Sequence, residues 1–405
     1  MHLPEWIYKP SKEDNLLNFW LALIRYTYKG YSDNKLLRDL GDYNHILFIL
    51  LDGAGYTFIA NVYKDLELPK PYMVDTLYPP TTASILTSLS TGYTPGRHGL
   101  LEWNLYIPDI DMLIETLMFR PYGFRHVDML YDIGYKPRIL FRGGGRIFRK
   151  LKSKNVLVKS FVRGYLIDTC YSRYTLSSSE RIAYINVSDL SLRIARELVN
   201  DRSKRSFYYV YIEALDSIAH KYGYLTEESI LDLKYTIKIF RDVFERIPED
   251  VTRDTLLIIV ADHGLNTVDP NSIIYLDKVV KGISRYIRRD SNNIPLVSGS
   301  PRNVYIHVRD GYVDKVLKLL DAHIRDKALI LSKDEFLKLD ILNEVSRDTY
   351  KRLGDVIILP KPNIGIWYIH LKGRIIKIKG LHGGLSYDEV KIPLIITYLN
   401  DFIKS

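Results

Sequence analysis

A single cysteine, Cys170, stands in the whole chain, so an internal disulfide framework and a cysteine-rich zinc site are both excluded. Its expected role is that of a small apolar filler. Long hydrophobic runs are missing too, and none approaches the roughly 20 residues that span a bilayer. The longest early run, 16–24, is broken by Asn18 and follows Glu5, Lys9, Lys12, Glu13 and Asp14, unlike the basic start of a signal peptide. We therefore expect a cytoplasmic protein with no membrane partner, and an amphipathic helix over 16–28. There is no internal repeat, low-complexity tract or Pro/Ser-rich linker, so any added domain should pack on the core rather than hang from a tether. Charge is not one-sided either: 57 basic against 48 acidic residues leave +9. The basic stretches 142–159 and 281–289 would attract phosphate-bearing substrates or nucleic acid, although such a run is as readily a solvated face.

What is present is an alternation of apolar runs and helix-like segments. The run 46–51 ends at Asp52-Gly53-Ala54-Gly55. A run apolar on both faces reads as a buried parallel strand, and the glycines mark a turn at its carboxyl end. The same layout recurs at 208–214, ending near Asp216, and at 256–261, ending at Asp262. Helix-like segments at 84–90, 188–200 and 227–247 separate these runs. The alternation predicts an α/β fold with a mostly parallel central sheet. Ligands collect at the carboxyl ends of such strands, where all three aspartates fall. Two stretches interrupt the pattern. Residues 105–181 are rich in Gly, Arg and Tyr without clear helical period and read as an irregular insertion. Residues 276–375, with strand-like 303–308 and 352–359 and helix-like 313–324, read as a smaller α+β cap. The catalytic core is then 1–275 together with 376–405.

Aspartate and histidine bind divalent metals through oxygen and nitrogen. Asp216 and His220 are four residues apart, so on a helix they share one face and reach one ion; alone, the spacing also suits a surface pair. In Asp262-His263-Gly264, adjacent side chains in a tight turn can face one cavity. An unpaired buried aspartate there is costly enough to want a cation, though an ordinary capping aspartate is the alternative. Asp52-Gly53 and His382-Gly383-Gly384 carry the same ambiguity between ligand and loop. Pro79-Pro80-Thr81-Thr82 opens the segment 84–90. A threonine at that place caps a helix, or serves as a nucleophile beside N–H groups suited to a phosphoryl group.

In this order and at these spacings the segments resemble the alkaline phosphatase superfamily, especially its type I phosphodiesterase/nucleotide pyrophosphatase family. The matching pieces are Leu50-Leu51-Asp52-Gly53, Tyr78-Pro79-Pro80-Thr81-Thr82, Thr91-Gly92, Pro95-Gly96-Arg97-His98-Gly99, Asp216-x-x-x-His220, Ala261-Asp262-His263-Gly264 and His382-Gly383-Gly384, covering most of the chain. The resemblance implies an alkaline-phosphatase-like three-layer sandwich with a mostly parallel sheet and a cap. It implies one metal held by Asp216, His220 and His382 and a second held by Asp52, Asp262 and His263. Two zinc ions are the implied cofactors, and manganese or iron suits the same donors. The family's nucleophile lies nine positions before the Thr of the Thr-Gly pair, which from Thr91 is Thr82, with Thr81 second.

The implied activity is hydrolysis of a phosphodiester or nucleotide pyrophosphate by two in-line displacements through a phosphothreonine. The alternatives are a phosphomonoesterase or phosphonate hydrolase of the same superfamily, or a non-catalytic nucleic-acid-associated protein using the fold. Related sulfatases carry a modified Cys or Ser at the nucleophile, and the related phosphoglycerate mutases a Ser, where this chain has Thr82. One position departs from the pattern. An Asn that contacts a phosphoryl oxygen is expected five residues after the His of the His-Gly pair. From His98 that position is Trp103, and Asn104 follows it. A one-residue shift would make Asn104 the substrate contact. Tyr56, Trp103 and Tyr106 are candidates for a base-stacking wall or for core packing, and His98 for positioning the nucleophile loop.

Overall fold

The computed structural model describes residues 3–404. At its centre lies a seven-stranded sheet in the order Tyr72–Asp75, Lys391–Tyr398, Thr255–Val260, His45–Leu51, Ser206–Ile212, Leu157–Arg163, Glu180–Tyr184. The last five of these are mutually parallel, and Lys391–Tyr398 runs antiparallel to both of its neighbours. Every residue of His45–Leu51 is buried, because both faces of the sheet are covered. Adjacent residues of a strand point to opposite faces, and Tyr208 and Tyr209 mark the two coverings. Tyr209 lies 6.2 Å from Trp20 of the helix Leu16–Lys29 and 5.7 Å from Phe148 of the helix Arg146–Lys152. The Tyr208 hydroxyl instead donates to the Glu197 carbonyl on the helix Val187–Asn200. Helices on both faces of a mostly parallel sheet make the three-layer α/β sandwich that the sequence predicted.

A second seven-stranded sheet is wholly antiparallel. Its order is Ala328–Ser332, Val356–Pro360, Asn303–Ile306, Val297–Ser300, Asn104–Ile107, Met112–Glu115, Arg120–Pro121. The stretch 105–181 is therefore not irregular throughout. Its beginning supplies strands to this second sheet, and Leu157–Arg163 and Glu180–Tyr184 belong to the central one. The apolar pattern of Leu157–Arg163 is masked by Lys159 and Ser160, both buried. Lys159 tolerates burial because its ammonium meets Asp201 at 2.6 Å and also pairs with Glu197. The helix Val313–Ile324 falls where its spacing placed it.

The two sheets are joined by a buried ion pair that also holds the loop after His382. Arg302 and Glu389 are both fully buried, with Nε to Oε1 at 3.0 Å and Nη2 to Oε2 at 2.8 Å. Glu389 further accepts from the Gly384 N–H at 2.9 Å and the Ser386 hydroxyl at 2.7 Å. Removing one partner strands the other charge away from water, which costs about 3–5 kcal/mol. Glu389→Ala should lower unfolding stability in urea by about that much. The double replacement Arg302→Met with Glu389→Leu should lose less, since it leaves no orphaned charge.

Candidate metal centre

The parallel register brings three strand ends level. Leu51 lies opposite Ile212 and Leu50 opposite Val260, so the chain leaves all three strands at the same edge of the sheet. Asp52 follows the first strand, Asp262 the third, and Asp216 sits in the first turn of the helix Ala214–Tyr222 after the second. Gly53, at φ +72°, lets the backbone turn directly after Asp52 and donates its N–H to Asp262 Oδ1 at 3.1 Å. Gly264 passes the 382–389 segment so closely that a Cβ there would lie 2.0 Å from the Asp388 carbonyl oxygen. Thr82 is the first residue of the helix Thr82–Thr91, and Trp20 Nε1 fixes that helix to the core by donating to the Leu89 carbonyl at 2.9 Å.

The six expected ligands and Thr82 converge. Thr82 Oγ1 lies 3.3 and 3.4 Å from the two Asp52 carboxylate oxygens and 3.1 Å from His263 Nε2. His263 Nε2 is 3.3 Å from Asp52 Oδ1 and 3.4 Å from Asp262 Oδ2. His220 Nε2 meets Asp216 Oδ2 at 3.1 Å, and the His263 and His382 rings stack with centroids 3.8 Å apart. Donor atoms of Asp52, Asp262 and His263 lie within 4.8 Å of one another, and so do those of Asp216, His263 and His382. His263 thus stands between the two groups, with His220 reaching the second through Asp216.

The donor set fits divalent metals on three observations. First, each histidine has its Nδ1 against a backbone carbonyl: His263 against Gly264 at 3.1 Å, His220 against Gly380 at 2.7 Å, His382 against Pro80 at 3.2 Å. A carbonyl only accepts, so Nδ1 carries a proton and, in the neutral ring, Nε2 keeps its lone pair, the tautomer that a metal-ligating imidazole needs. Secondly, Asp216 Oδ1 and Asp262 Oδ2 are buried with no hydrogen-bond partner. Thirdly, the buried carboxylates crowd one another. Burial, and then the neighbouring Asp262 and Asp216 carboxylates, raise the Asp52 pKa well above the ordinary carboxylate range. Burial raises Asp262 as well. Burial opposes ionisation of Asp216, yet His220 beside it holds that carboxyl low. Burial alone would lower His220, and Asp216 overrides it, bringing the pKa to about 9.

Several neighbours escaped the sequence reading. Tyr211 donates its hydroxyl to Asp52 Oδ2, and the Thr76 hydroxyl donates to the Asp262 carbonyl. Tyr211 reads as one more apolar strand residue, and only its register beside Leu50 brings it to the site. Glu102 is fully buried on the cavity wall, bonded by Ser300 and Asn303, and burial pushes its pKa up to about 8. Trp103 and Asn104 both line the cavity, where Asn104 Oδ1 is buried without a partner and Nδ2 makes a long 3.4 Å bond to the Gly299 carbonyl. Of the three aromatic residues offered for a stacking wall or for core packing, Trp103 lines the cavity. Tyr106 is buried against His307, 4.9 Å between centroids, and Tyr56 does not line the cavity.

His98 packs behind the helix Thr82–Thr91, with Nε2 2.9 Å from the Ser88 hydroxyl and Nδ1 accepting from the Leu100 N–H at 3.1 Å. Burial lowers its pKa to about 3, against roughly 6.5 in an unfolded chain. Between those values the unfolded state binds more protons, so the histidine's contribution is present at neutral pH and is lost as pH falls. The stability advantage of the wild type over His98→Asn should shrink by roughly 3 kcal/mol from about pH 6.5 to about pH 4. Urea unfolding of both proteins across that range reads the difference, and parallel profiles would contradict it.

The cavity over these residues measures about 490 Å³. Thr82, Asp52, Asp216, His220 and His382 form its polar end, while Leu86, Leu89, Phe148, Val162, Leu176 and Tyr209 make the remainder largely apolar. Strand ends that gather three carboxylates, three imidazoles and a hydroxyl under one cavity define a phosphoester hydrolase of the alkaline phosphatase type. The sequence profile of the type I phosphodiesterase / nucleotide pyrophosphatase family matches residues 66–385, most of the chain, and the protein belongs to that family. The fold is likewise that of murine ectonucleotide pyrophosphatase/phosphodiesterase 5, with TM-score 0.62 at 13% identity over 86% of this chain and 87% of that one. An inactive threonine-to-alanine form of the murine protein, in complex with AMP, gives the same values. The human protein of that name superposes with TM-score 0.58 at 13% identity, over 89% of this chain and 92% of the other. No curated protein sequence matches this chain.

Proposed function

We propose that the protein is a divalent-metal phosphodiesterase or nucleotide pyrophosphatase that works through a phosphothreonine on Thr82. The observation that carries this reading is the position of Thr82 Oγ1 at a helix N-terminus, within 3.4 Å of both Asp52 and His263. Asp52, Asp262 and His263 would hold one ion, and Asp216, His220 and His382 the other. Zinc suits this nitrogen and oxygen donor set best, with manganese and iron as alternatives. Two such ions supply Lewis-acid stabilisation of the phosphoryl charge and favour ionisation of a nearby hydroxyl.

The chain's own groups account for the rest. Thr82 Oγ1 attacks phosphorus in line with the leaving oxygen, whose P–O bond breaks as the new one forms. The hydroxyl proton leaves to solvent, and the leaving oxygen takes a proton from solvent. First-turn N–H groups of a helix, Ala83 here among them, lack intrahelical partners and serve as donors to the equatorial oxygens. Asn104, on the cavity wall, is our candidate for the amide that touches a phosphoryl oxygen in place of Trp103. Water then attacks the phosphothreonine, restoring Thr82 and releasing the second product.

The apolar remainder of the cavity favours a diester, which needs room for a second substituent, over a dianionic monoester, which would want added positive charge. A nucleotide is one such substrate, consistent with the AMP held by the murine protein. The test is kcat/KM for bis(p-nitrophenyl) phosphate against p-nitrophenyl phosphate in metal-loaded protein. We expect the diester to be preferred; a higher value for the monoester would overturn the diesterase reading.

A further inference from the structure

No helix among the described residues is long and apolar enough to cross a membrane, yet one segment lining the cavity combines exposed apolar side chains with cations. Residues 371–379 form an irregular segment that carries four cations, Lys372, Arg374, Lys377 and Lys379, and no carboxylate. All four are exposed. Between them Ile375 is 48% and Ile378 38% exposed, while Ile376 and Ile378 also line the cavity that ends at Thr82. The neighbouring turn repeats the combination. Arg374 donates to the Gly123 carbonyl at 2.6 Å, and next to Gly123 stand Phe124, 46% exposed, and the exposed Arg125. Two touching loops, the first of which lines the cavity, therefore each present a large exposed apolar side chain beside a cation.

We propose that this rim docks the protein on an anionic phospholipid surface, with Ile375 and Phe124 entering the interface and the cations meeting headgroup phosphates. Exposed apolar side chains cost free energy in water and mark contact surfaces when they cluster. Lysine and arginine flanking such residues reach anionic headgroups while their stems lie along the apolar layer. Nucleic acid is the weaker occupant, because a strand is gripped by cations interleaved with flat rings on which bases stack, and isoleucine has no such face. Docking in this way turns the cavity mouth toward the lipid, so a diester within the surface would reach Thr82 without leaving it.

The experiment uses the full chain and vesicles of phosphatidylcholine alone or mixed with phosphatidylserine, with binding read by co-sedimentation. Wild type should sediment with the mixed vesicles and stay in solution with phosphatidylcholine. The variant Lys372→Glu, Ile375→Ser, Lys377→Glu should bind at least about tenfold more weakly while hydrolysing bis(p-nitrophenyl) phosphate as wild type does. Absence of wild-type binding to mixed vesicles, or equal binding by the variant, overturns the proposal. So does tight binding of a fluorescein-labelled oligonucleotide that the same variant loses, which would assign the rim to nucleic acid. Because vesicle binding is read without turnover, its failure is distinct from failure of the diesterase reading.

Discussion

Thr82→Ala should lower kcat/KM for bis(p-nitrophenyl) phosphate by roughly a thousandfold or more, with metal content and melting temperature close to wild type. The size of the effect follows from the geometry. Thr82 Oγ1 is the hydroxyl within hydrogen-bonding reach of both Asp52 and His263. Thr81, one residue earlier, is the helix N-cap, and its carbonyl accepts the Ser84 and Ile85 N–H groups. The Thr81 side chain makes no capping hydrogen bond and its carbonyl survives the substitution, so Thr81→Ala should change stability little and keep turnover largely intact. If the two variants exchange these behaviours, the nucleophile is Thr81. If both keep full activity, the attacking oxygen is not a threonine's.

Stripping divalent metal should have the second largest effect, on activity and stability together. Without cations the site buries Asp52, Asp262 and Asp216 side by side, and burial with mutual repulsion already raises two of the three. An ion that binds the folded chain and not the unfolded one raises stability in proportion to the logarithm of its concentration over Kd. Chelated protein should thus lose nearly all diesterase activity and melt at a lower temperature. Zinc or manganese should restore both, whereas Asp262→Asn should remain inactive and show a smaller melting shift on metal addition, since the Asp216, His220 and His382 set is intact. A chelated protein that keeps its turnover would remove metal from the mechanism.

The parts of the fold legible in the sequence were those whose physics is local. The run 46–51 is apolar on both faces because helices cover both sides of the sheet, and Asp52 ends it because the strand ends there. Asp216 and His220 were readable as a pair because a helix sets their spacing, and the structure indeed carries both on Ala214–Tyr222. Less legible were features that depend on distant partners. Leu157–Arg163 was hidden by Lys159, whose burial makes sense only with Asp201 and Glu197 opposite it. The strands at Asn104–Ile107 and Met112–Glu115 are four residues each, and only the first joins them to the rest of the sheet, through Gly299, so no local period announces them. Tyr211 and Glu102 reach the site by register and by sheet packing, and neither has a motif. The second sheet also explains why Tyr106 failed as a stacking residue: it belongs to a strand packed on His307.

The account turns on two displacements at phosphorus, the first by Thr82 and the second by water, each inverting the configuration. Hydrolysis of a phosphorothioate diester of known configuration at phosphorus, run in isotopically labelled water, reads the outcome directly. Net retention is the predicted result, since two inversions cancel. Net inversion would mean that water attacks the diester in a single step and that Thr82 never carries the phosphoryl group.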